Sequence, residues 1–243
     1  VSRVQIGIHP DCFEWTLQQG ESFETPAAVY VYSEDGLNGM SQAFHTLFNR
    51  HLVRGKYRMK ERPILINNWE ATYFDFDEEK IVRIAETAAQ AGIELFVLDD
   101  GWFGNRNDDH RGLGDWYVNL QKLPHGISGL SQRIHSLGMQ FGLWIEPEMV
   151  NRDSNLYRTH PEWVMVDPDY VPCHGRNQYV LDFSRKEVVD YIFRCLDQVL
   201  DGADVNYIKW DMNRTMSEVY SRSHSSLQQG RVMHEYILGV YDL

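Results

Sequence analysis

The six residues Lys209-Trp210-Asp211-Met212-Asn213-Arg214 place a carboxylate, an amide and two cations at the end of an apolar run, Val205-Asn206-Tyr207-Ile208. Such a run predicts a buried strand that delivers a charged cluster to its C-terminal tip. Side chains two residues apart point to one face of a strand, so Lys209, Asp211 and Asn213 share a face. A carboxylate flanked by a cation and an amide stays ionised and oriented. That suits a nucleophile attacking a sugar carbon. A salt-bridged strand end with no chemistry would use the same residues and is the bland alternative.

The elements that must position this cluster alternate along the chain from Pro63 onward. Ile64-Leu65-Ile66 predicts a buried strand ending at Asn67-Asn68-Trp69-Glu70, and Glu94–Leu98 a second ending at Asp99-Asp100-Gly101-Trp102. Phe141–Ile145 predicts a third ending at Glu146-Pro147-Glu148, and Tyr179–Phe183 a short fourth carrying Asp182. Between them, helical spacing predicts helices over 78–91, stopped by Gly92, and near 128–137, stopped by Gly138. Ser184 with Glu187 has the spacing of a capping box, opening a helix that turns Val188, Ile192, Leu196 and Val199 to one side. Residues 228–241 read as a further helix.

Repeated strand–helix units predict a parallel sheet with helices outside. Polar and aromatic residues collect where each strand ends, the pattern of a (β/α)₈ barrel whose site lies at the C-terminal face. A doubly wound sheet is the alternative, but no Gly-rich phosphate turn follows the first strand. The expected fold class is α/β: a partial (β/α)₈ TIM barrel of about five units, preceded by the tail of a β-sandwich. In that division residues 1–55 hold the end of the sandwich and a linking helix, and residues 56–243 the first portion of the barrel. Val4–Ile8, Phe13–Leu17 and Ala28–Tyr32 read as the sandwich strands, and Met40, Phe44, Leu47 and Phe48 mark the linking helix over 37–52. The polar stretch between Trp102 and Leu120 reads as a solvated lid in preference to a calcium loop.

Composition narrows the partners. The 243 residues carry 23 Lys and Arg against 35 Asp and Glu, a formal charge of −12, which disfavours nucleic acid and suits a neutral substrate. Seven Trp and thirteen Tyr supply flat rings that stack on sugar faces or simply fill a core. Three cysteines, Cys12, Cys173 and Cys195, argue against a disulfide framework and for a reducing, cytoplasmic setting. No cysteine or histidine spacing matches a zinc site, no apolar run approaches a membrane span, and no signal peptide is visible. No metal or other cofactor is expected.

Taken together, the strand tips resemble a known family. Leu98-Asp99-Asp100-Gly101-Trp102-Phe103, Gly142-Leu143-Trp144-Ile145-Glu146-Pro147-Glu148-Met149 and Lys209-Trp210-Asp211-Met212-Asn213-Arg214 are similar to motifs of the bacterial α-galactosidases of glycoside hydrolase family 36. Trp69 and Gly175-Arg176-Asn177-Gln178 also fit, and the likeness runs from about residue 1 to the end. The resemblance implies a retaining exo-α-galactosidase acting on terminal galactosyl residues of oligosaccharides such as melibiose and raffinose, and a homo-oligomer of the full-length protein. It makes Asp211 the nucleophile, and Asp99 and Asp100 acceptors for galactose hydroxyls. Lys209, Asn213 and Arg176 become donors, and Trp144 and Trp69 walls of the sugar subsite. Glu146 and Glu148 receive no catalytic role and read as loop anchors.

One departure accompanies the resemblance. A retaining hydrolase needs a second carboxyl about 5–5.5 Å from the first to protonate the leaving oxygen. In the family this is an aspartate on a later strand, after a Cys-Ser-Gly-Gly-rich segment that this chain does not contain. The acid/base is therefore expected to be absent from this chain, which reads as an excerpt of a longer enzyme. An open barrel leaves an unpaired edge, so the segment alone is expected to fold poorly and turn over nothing. Alternatives are an α-N-acetylgalactosaminidase, a galactosyl transferase of raffinose-synthase type, or a non-catalytic sugar-binding barrel. A metal-dependent hydrolase is disfavoured by the lack of His at the tips. Family 31 α-glucosidases share Asp-Met-Asn, but Lys-Trp before it and Arg after it fit family 36 better.

Overall fold

Leu95-Phe96-Val97-Leu98 is apolar at four successive positions, and the strand it forms is buried at all four. A strand covered on both faces by a parallel sheet's helices has this unbroken apolar character. The computed structural model describes residues 3–243. Its strands are Leu65–Asn67 (β1), Leu95–Leu98 (β2), Gln140–Ile145 (β3), Met149–Asn151 (β4), Gln178–Val180 (β5) and Tyr207–Trp210 (β6). Its α-helices are Gly36–Leu47 (α1), Trp69–Thr72 (α2), Glu78–Gln90 (α3), Gly126–Ser136 (α4), Asn155–Thr159 (α5), Lys186–Leu200 (α6) and Val232–Asp242 (α7). No helix among the described residues is long and apolar enough to cross a membrane.

β1, β2, β3 and β6 form one sheet in that order, every pair parallel. α3 links β1 to β2 and α4 links β2 to β3, so the expected α/β alternation holds. α3 is opened by Asp77, whose carboxylate accepts the Lys80 amide at 2.7 Å, and it buries Ile81, Val82, Ala85 and Ala88. The glycine stops fall where expected: Gly92 and Gly138 both take left-handed φ, +85° and +80°, which only glycine adopts without cost.

Two expectations about the sheet and one about a helix cap need correction. β1 and β6 are not buried strands: Leu65 is 40% exposed and Tyr207 42%. Each has one neighbour among the described residues, so one side of each stays uncovered. The strand near Tyr179 does not join the parallel sheet. β5 runs antiparallel to β4 in a separate two-stranded ribbon. A parallel return needs a crossover, usually a full helix, and between β4 and β5 the chain offers only the five-residue α5 and a short 3₁₀ turn, Pro161–Trp163. Ser184 and Glu187 do not form a capping box. Arg185 precedes α6, Ser184 Oγ donates to Asp182 Oδ1, and Glu187 accepts from Arg185. A capping box does form at Ser225 and Gln228, opening the 3₁₀ turn Ser226–Arg231 before α7.

The chain divides into two units, one holding residues up to Asp11 with Leu17–Pro63, the other Cys12–Thr16 with Ile64–Leu243. In the first, α1 continues into a π-helical turn, Phe48–Leu52, and Arg58 secures it by donating to the carbonyls of Asn49 (2.7 Å) and Arg50 (2.6 Å). The three expected strands before α1 are not present as strands among the described residues. Alternation supplies a face, but a strand exists only when a neighbour completes its ladder, and Tyr30 and Tyr32 lie open to solvent. In the second unit, Cys12–Thr16 is held by the Glu14 amide donating to the Gly230 carbonyl at 2.7 Å and by the Arg231 guanidinium over the Trp15 ring.

Candidate active site

Parallel register brings the strand tips to one level. Leu98 pairs with Leu143, and Leu143 with Ile208. One residue further, Asp99, Trp144 and Lys209 therefore stand side by side, on the face opposite to that trio. Two residues further again, Glu146 and Asp211 occupy the same face. Beneath Trp144 on this face lies Gly142, between Val97 and Tyr207. A Cβ on Gly142 would sit 2.9 Å from the Val97 methyl and 3.1 Å from the Tyr207 ring, so glycine is what lets the row close.

All eight residues singled out in the sequence (Trp69, Asp99, Asp100, Trp144, Arg176, Lys209, Asp211 and Asn213) line a single cavity of about 220 Å³. Asp211 Oδ2 accepts from Trp144 Nε1 at 3.0 Å and from Asn213 Nδ2 at 2.8 Å, and Oδ1 accepts from the Met212 amide at 3.0 Å. Burial works to raise its pKa. The Trp144 and Asn213 donors, the Met212 amide and the charge of Lys209 outweigh it and hold the carboxyl below the ordinary range. Asp211 is thus a carboxylate, fixed and ionised.

Lys209 serves the opposite wall. Its ammonium lies 2.7 Å from Asp99 Oδ2. Asp99 is further set by its neighbours: its amide donates to Asn68 Oδ1 at 2.8 Å, and its Oδ1 accepts the Asp100 amide at 2.9 Å. Asp100 is gripped by Arg106, with Nε 3.0 Å from Oδ1 and Nη2 2.7 Å from Oδ2. Burial raises the Asp100 pKa, and the bonds and charge of Arg106 oppose that shift.

Arg176 reaches the site from a hairpin. Gly175 and Gln178 exchange backbone hydrogen bonds, and the two residues between them, Arg176 and Asn177, have φ of +52° and +61°. Positive φ at both central positions marks a type I′ geometry, normally the domain of Gly, Asn and Asp. An arginine held in it is strained, and the turn delivers its guanidinium to Asn213 Oδ1. Trp69 is half-buried, its ring edge-on to Phe74 at 5.2 Å. Trp144 is only 2% exposed, and what it contributes to Asp211 is its Nε1–H donor.

Glu146 and Glu148 anchor the last tip. Glu146 accepts the Asn213 amide on Oε1 and Gln178 Nε2 on Oε2 at 3.0 Å. Burial raises its pKa, and the nearby charge of Asp211 adds to the rise. Glu148 accepts Trp210 Nε1 at 2.9 Å and the Tyr236 hydroxyl at 2.7 Å.

The stretch between Trp102 and Leu120 is a packed wall of the site, not a solvated lid. Trp102, Phe103, Leu113 and Trp116 are buried, Trp102 Nε1 donates to the Trp144 carbonyl at 2.9 Å, and Phe103 stacks on Trp144. Arg106 is 2% exposed and also donates to Asn151 Oδ1 at 2.9 Å. Reading the run by its polarity missed Arg106. Trp102-Phe103 before it and Gly112-Leu113-Gly114 after it were the available signal of a folded-in loop. Asp182, one of the expected tips, lies outside the cavity because β5 left the parallel sheet.

The melibiase family model matches residues 22–243. The chain is 58% identical over 240 residues to α-galactosidase AgaA of Geobacillus stearothermophilus and 50% identical to α-galactosidase Mel36A of Lactobacillus acidophilus, covering 99% of this chain and 33% of each relative. It spans about a third of the length of these curated relatives. The crystal structure of AgaA superposes with a TM-score of 0.94 over 97% of this chain and 33% of that one. An α-galactosidase structure from Lactobacillus brevis gives 0.92 at 50% identity, over 98% of this chain and 32% of that one. AgaA variants have also been solved in complex with raffinose and with stachyose. With its sequence, its fold and nearly all of its length matched in this way, the chain belongs to the melibiase family.

Proposed function

We propose that this chain is the galactose-gripping part of a retaining exo-α-galactosidase, with Asp211 as its nucleophile. The observation that carries the reading is the state of Asp211: ionised, oriented by Trp144 and Asn213, and sharing a small polar cavity with two paired aspartates. The complexes of AgaA with raffinose and stachyose support galactosides as the substrate class.

In this reading Asp211 attacks the anomeric carbon and forms a covalent galactosyl ester, which water later cleaves. Asp99 and Asp100 accept sugar hydroxyls, Lys209, Asn213 and Arg176 donate to them, and Trp69 covers the apolar face. A hydroxyl of the wrong configuration leaves one of the buried aspartates, Asp99 or Asp100, without that partner, at about 1–3 kcal/mol. That penalty distinguishes galactose from its epimers.

The leaving oxygen is protonated by a residue that this chain does not carry. Three other carboxylates of the cavity are engaged, Asp99 with Lys209, Asp100 with Arg106, and Glu146 with Asn213 and Gln178, which supports this reading. The four parallel strands are read as the opening strands of a (β/α)₈ barrel, and residues 1–55 as the end of a preceding β domain. Three free cysteines fit a reducing, cytoplasmic setting.

The test is covalent trapping in the intact enzyme. An activated 2-fluoro-galactosyl reagent should leave its sugar on the peptide containing Asp211. Label on any other residue removes the nucleophile assignment.

A further inference from the structure

Lys122 does not line the cavity, yet its ammonium holds two of the cavity's walls. Nζ donates to three backbone carbonyls: Phe74 at 2.9 Å, Gly101 at 3.0 Å and Arg106 at 3.1 Å. An ammonium has three N–H groups and no more, so each is used once. The same nitrogen lies 4.7 Å over the Phe76 ring. The lysine's own backbone is fixed at both ends, its carbonyl accepting the Glu78 amide at 2.9 Å and its amide donating to the Asn119 carbonyl at 3.2 Å.

The three carbonyls belong to two separate stretches. Phe74 lies in the segment after β1 that carries Trp69, and its ring packs against the Trp69 ring. Gly101 directly follows Asp100, and Arg106 is the residue that grips Asp100. Gly101 is itself crowded against the first segment, since a Cβ there would meet the Phe74 ring at 3.1 Å and the Phe76 ring at 3.2 Å.

We infer that Lys122 is a positioning residue for the sugar site, fastening the Trp69–Phe76 segment to the Gly101–Arg106 loop and so setting the separation of Trp69 from Asp100. The inference rests on the galactoside reading above for its ligand, but the fastening itself is independent of it. The charged groups around the ammonium are Asp75, itself paired with Lys80, together with Asp100 and Arg106. Burial pushes the ammonium down to about 8, with the two aspartates opposing and Arg106 assisting. Once deprotonated, the amine keeps only two N–H donors and turns a lone pair toward the third carbonyl. Below that pH all three bonds are made, and above it one is lost and the fastening loosens.

The experiment uses the intact enzyme and its Lys122→Met, Lys122→Ala and Lys122→Arg variants, with nitrophenyl α-galactoside as probe. Lys122→Met should raise KM by about tenfold with a much smaller change in kcat, because binding geometry is lost while Asp211 is untouched. Wild-type KM should rise as pH passes through about 8, and the Met variant should show no such rise. Ethylammonium should restore part of the Ala variant's affinity by occupying the vacated carbonyl cage, and Lys122→Arg should not match wild type, since a planar fork cannot reach three converging carbonyls. An unchanged KM in Lys122→Met, or the same alkaline rise in both proteins, overturns the inference. If the variants fail to fold, the wild-type KM profile decides. If the wild type turns over no galactoside, the functional reading fails. Hydrogen exchange then decides the fastening: amides of residues 69–76 and 101–107 must exchange faster above pH 8 than below it by more than the intrinsic chemical rate, while those of α6 do not.

Discussion

Lys209 reaches across β3 to Asp99, its ammonium 2.7 Å from Oδ2, instead of folding back toward Asp211 on its own strand. Residues two apart on a strand are separated by about 7 Å and project in parallel, so the long lysine side chain is freer to lean across the sheet than along it. Two carboxylates of this face, Asp99 and Asp211, are thereby treated differently. Asp99 receives a cation, and Asp211 receives neutral donors from Trp144 and Asn213. A carboxylate satisfied by neutral donors keeps its charge available for bond formation, as the proposed role of Asp211 requires.

This division predicts a measurable coupling. A double-mutant cycle of Lys209→Met and Asp99→Asn in the intact enzyme should give an interaction energy of about 0.5–3 kcal/mol in kcat/KM. The same cycle between Lys209→Met and Asp211→Asn should be confounded by the collapse of turnover that Asp211→Asn alone produces, about 10⁴-fold. Additive behaviour of Lys209 and Asp99 would show that the ion pair is not formed during the reaction.

Trp144→Phe removes one donor from Asp211 and keeps most of the ring. The donor helps hold the Asp211 pKa below its ordinary value, so its loss moves that pKa upward. Activity needs the ionised form, which is lost as pH falls through the pKa. The acid limb of the kcat/KM profile should therefore move to higher pH, by about one unit for a hydrogen bond to a charged group. A limb that stays in place would assign it to another group.

Arg106→Met leaves Asp100 buried without its cation. Breaking one partner of a buried pair costs about 3–5 kcal/mol, and denaturant unfolding should record a loss of that size. Arg106→Met combined with Asp100→Leu should recover part of it, since the uncompensated charge is then gone. Both variants should lose galactoside affinity.

Arg176→Gly should separate stability from binding. Glycine accepts the +52° φ that arginine resists, so thermal stability should hold or rise by about 1 kcal/mol. The guanidinium bonded to Asn213 is lost, and KM should rise by about tenfold. Loss of stability instead would mean that the guanidinium holds the hairpin as well as the ligand.

The sequence by itself determined the four parallel strands, the helices α3 and α4 between them, and eight residues of the site. Apolar runs ending in Asn68-Trp69, Asp99-Asp100, Glu146 and Asp211 fall at strand ends, and the parallel register gathers those ends at one edge of the sheet. Helix stops at Gly92 and Gly138 are written in the residue that accepts positive φ without steric cost. Eight residues chosen from those tips and from the Gly175–Gln178 turn do line one cavity. Tertiary structure decided who pairs with whom. Lys209 chose Asp99 because register set the two on one level across β3. Arg106 entered the site because the polar stretch between Trp102 and Leu120 folds inward, with Trp102, Phe103, Leu113 and Trp116 buried, which polarity alone cannot reveal. β5 left the parallel sheet because its connection lacks a crossover helix, and among the described residues the strands expected before α1 do not form, because a ladder needs a neighbour. Each of these outcomes depends on contacts between residues far apart in the chain, and periodicity, which reads only near neighbours, carries no record of them.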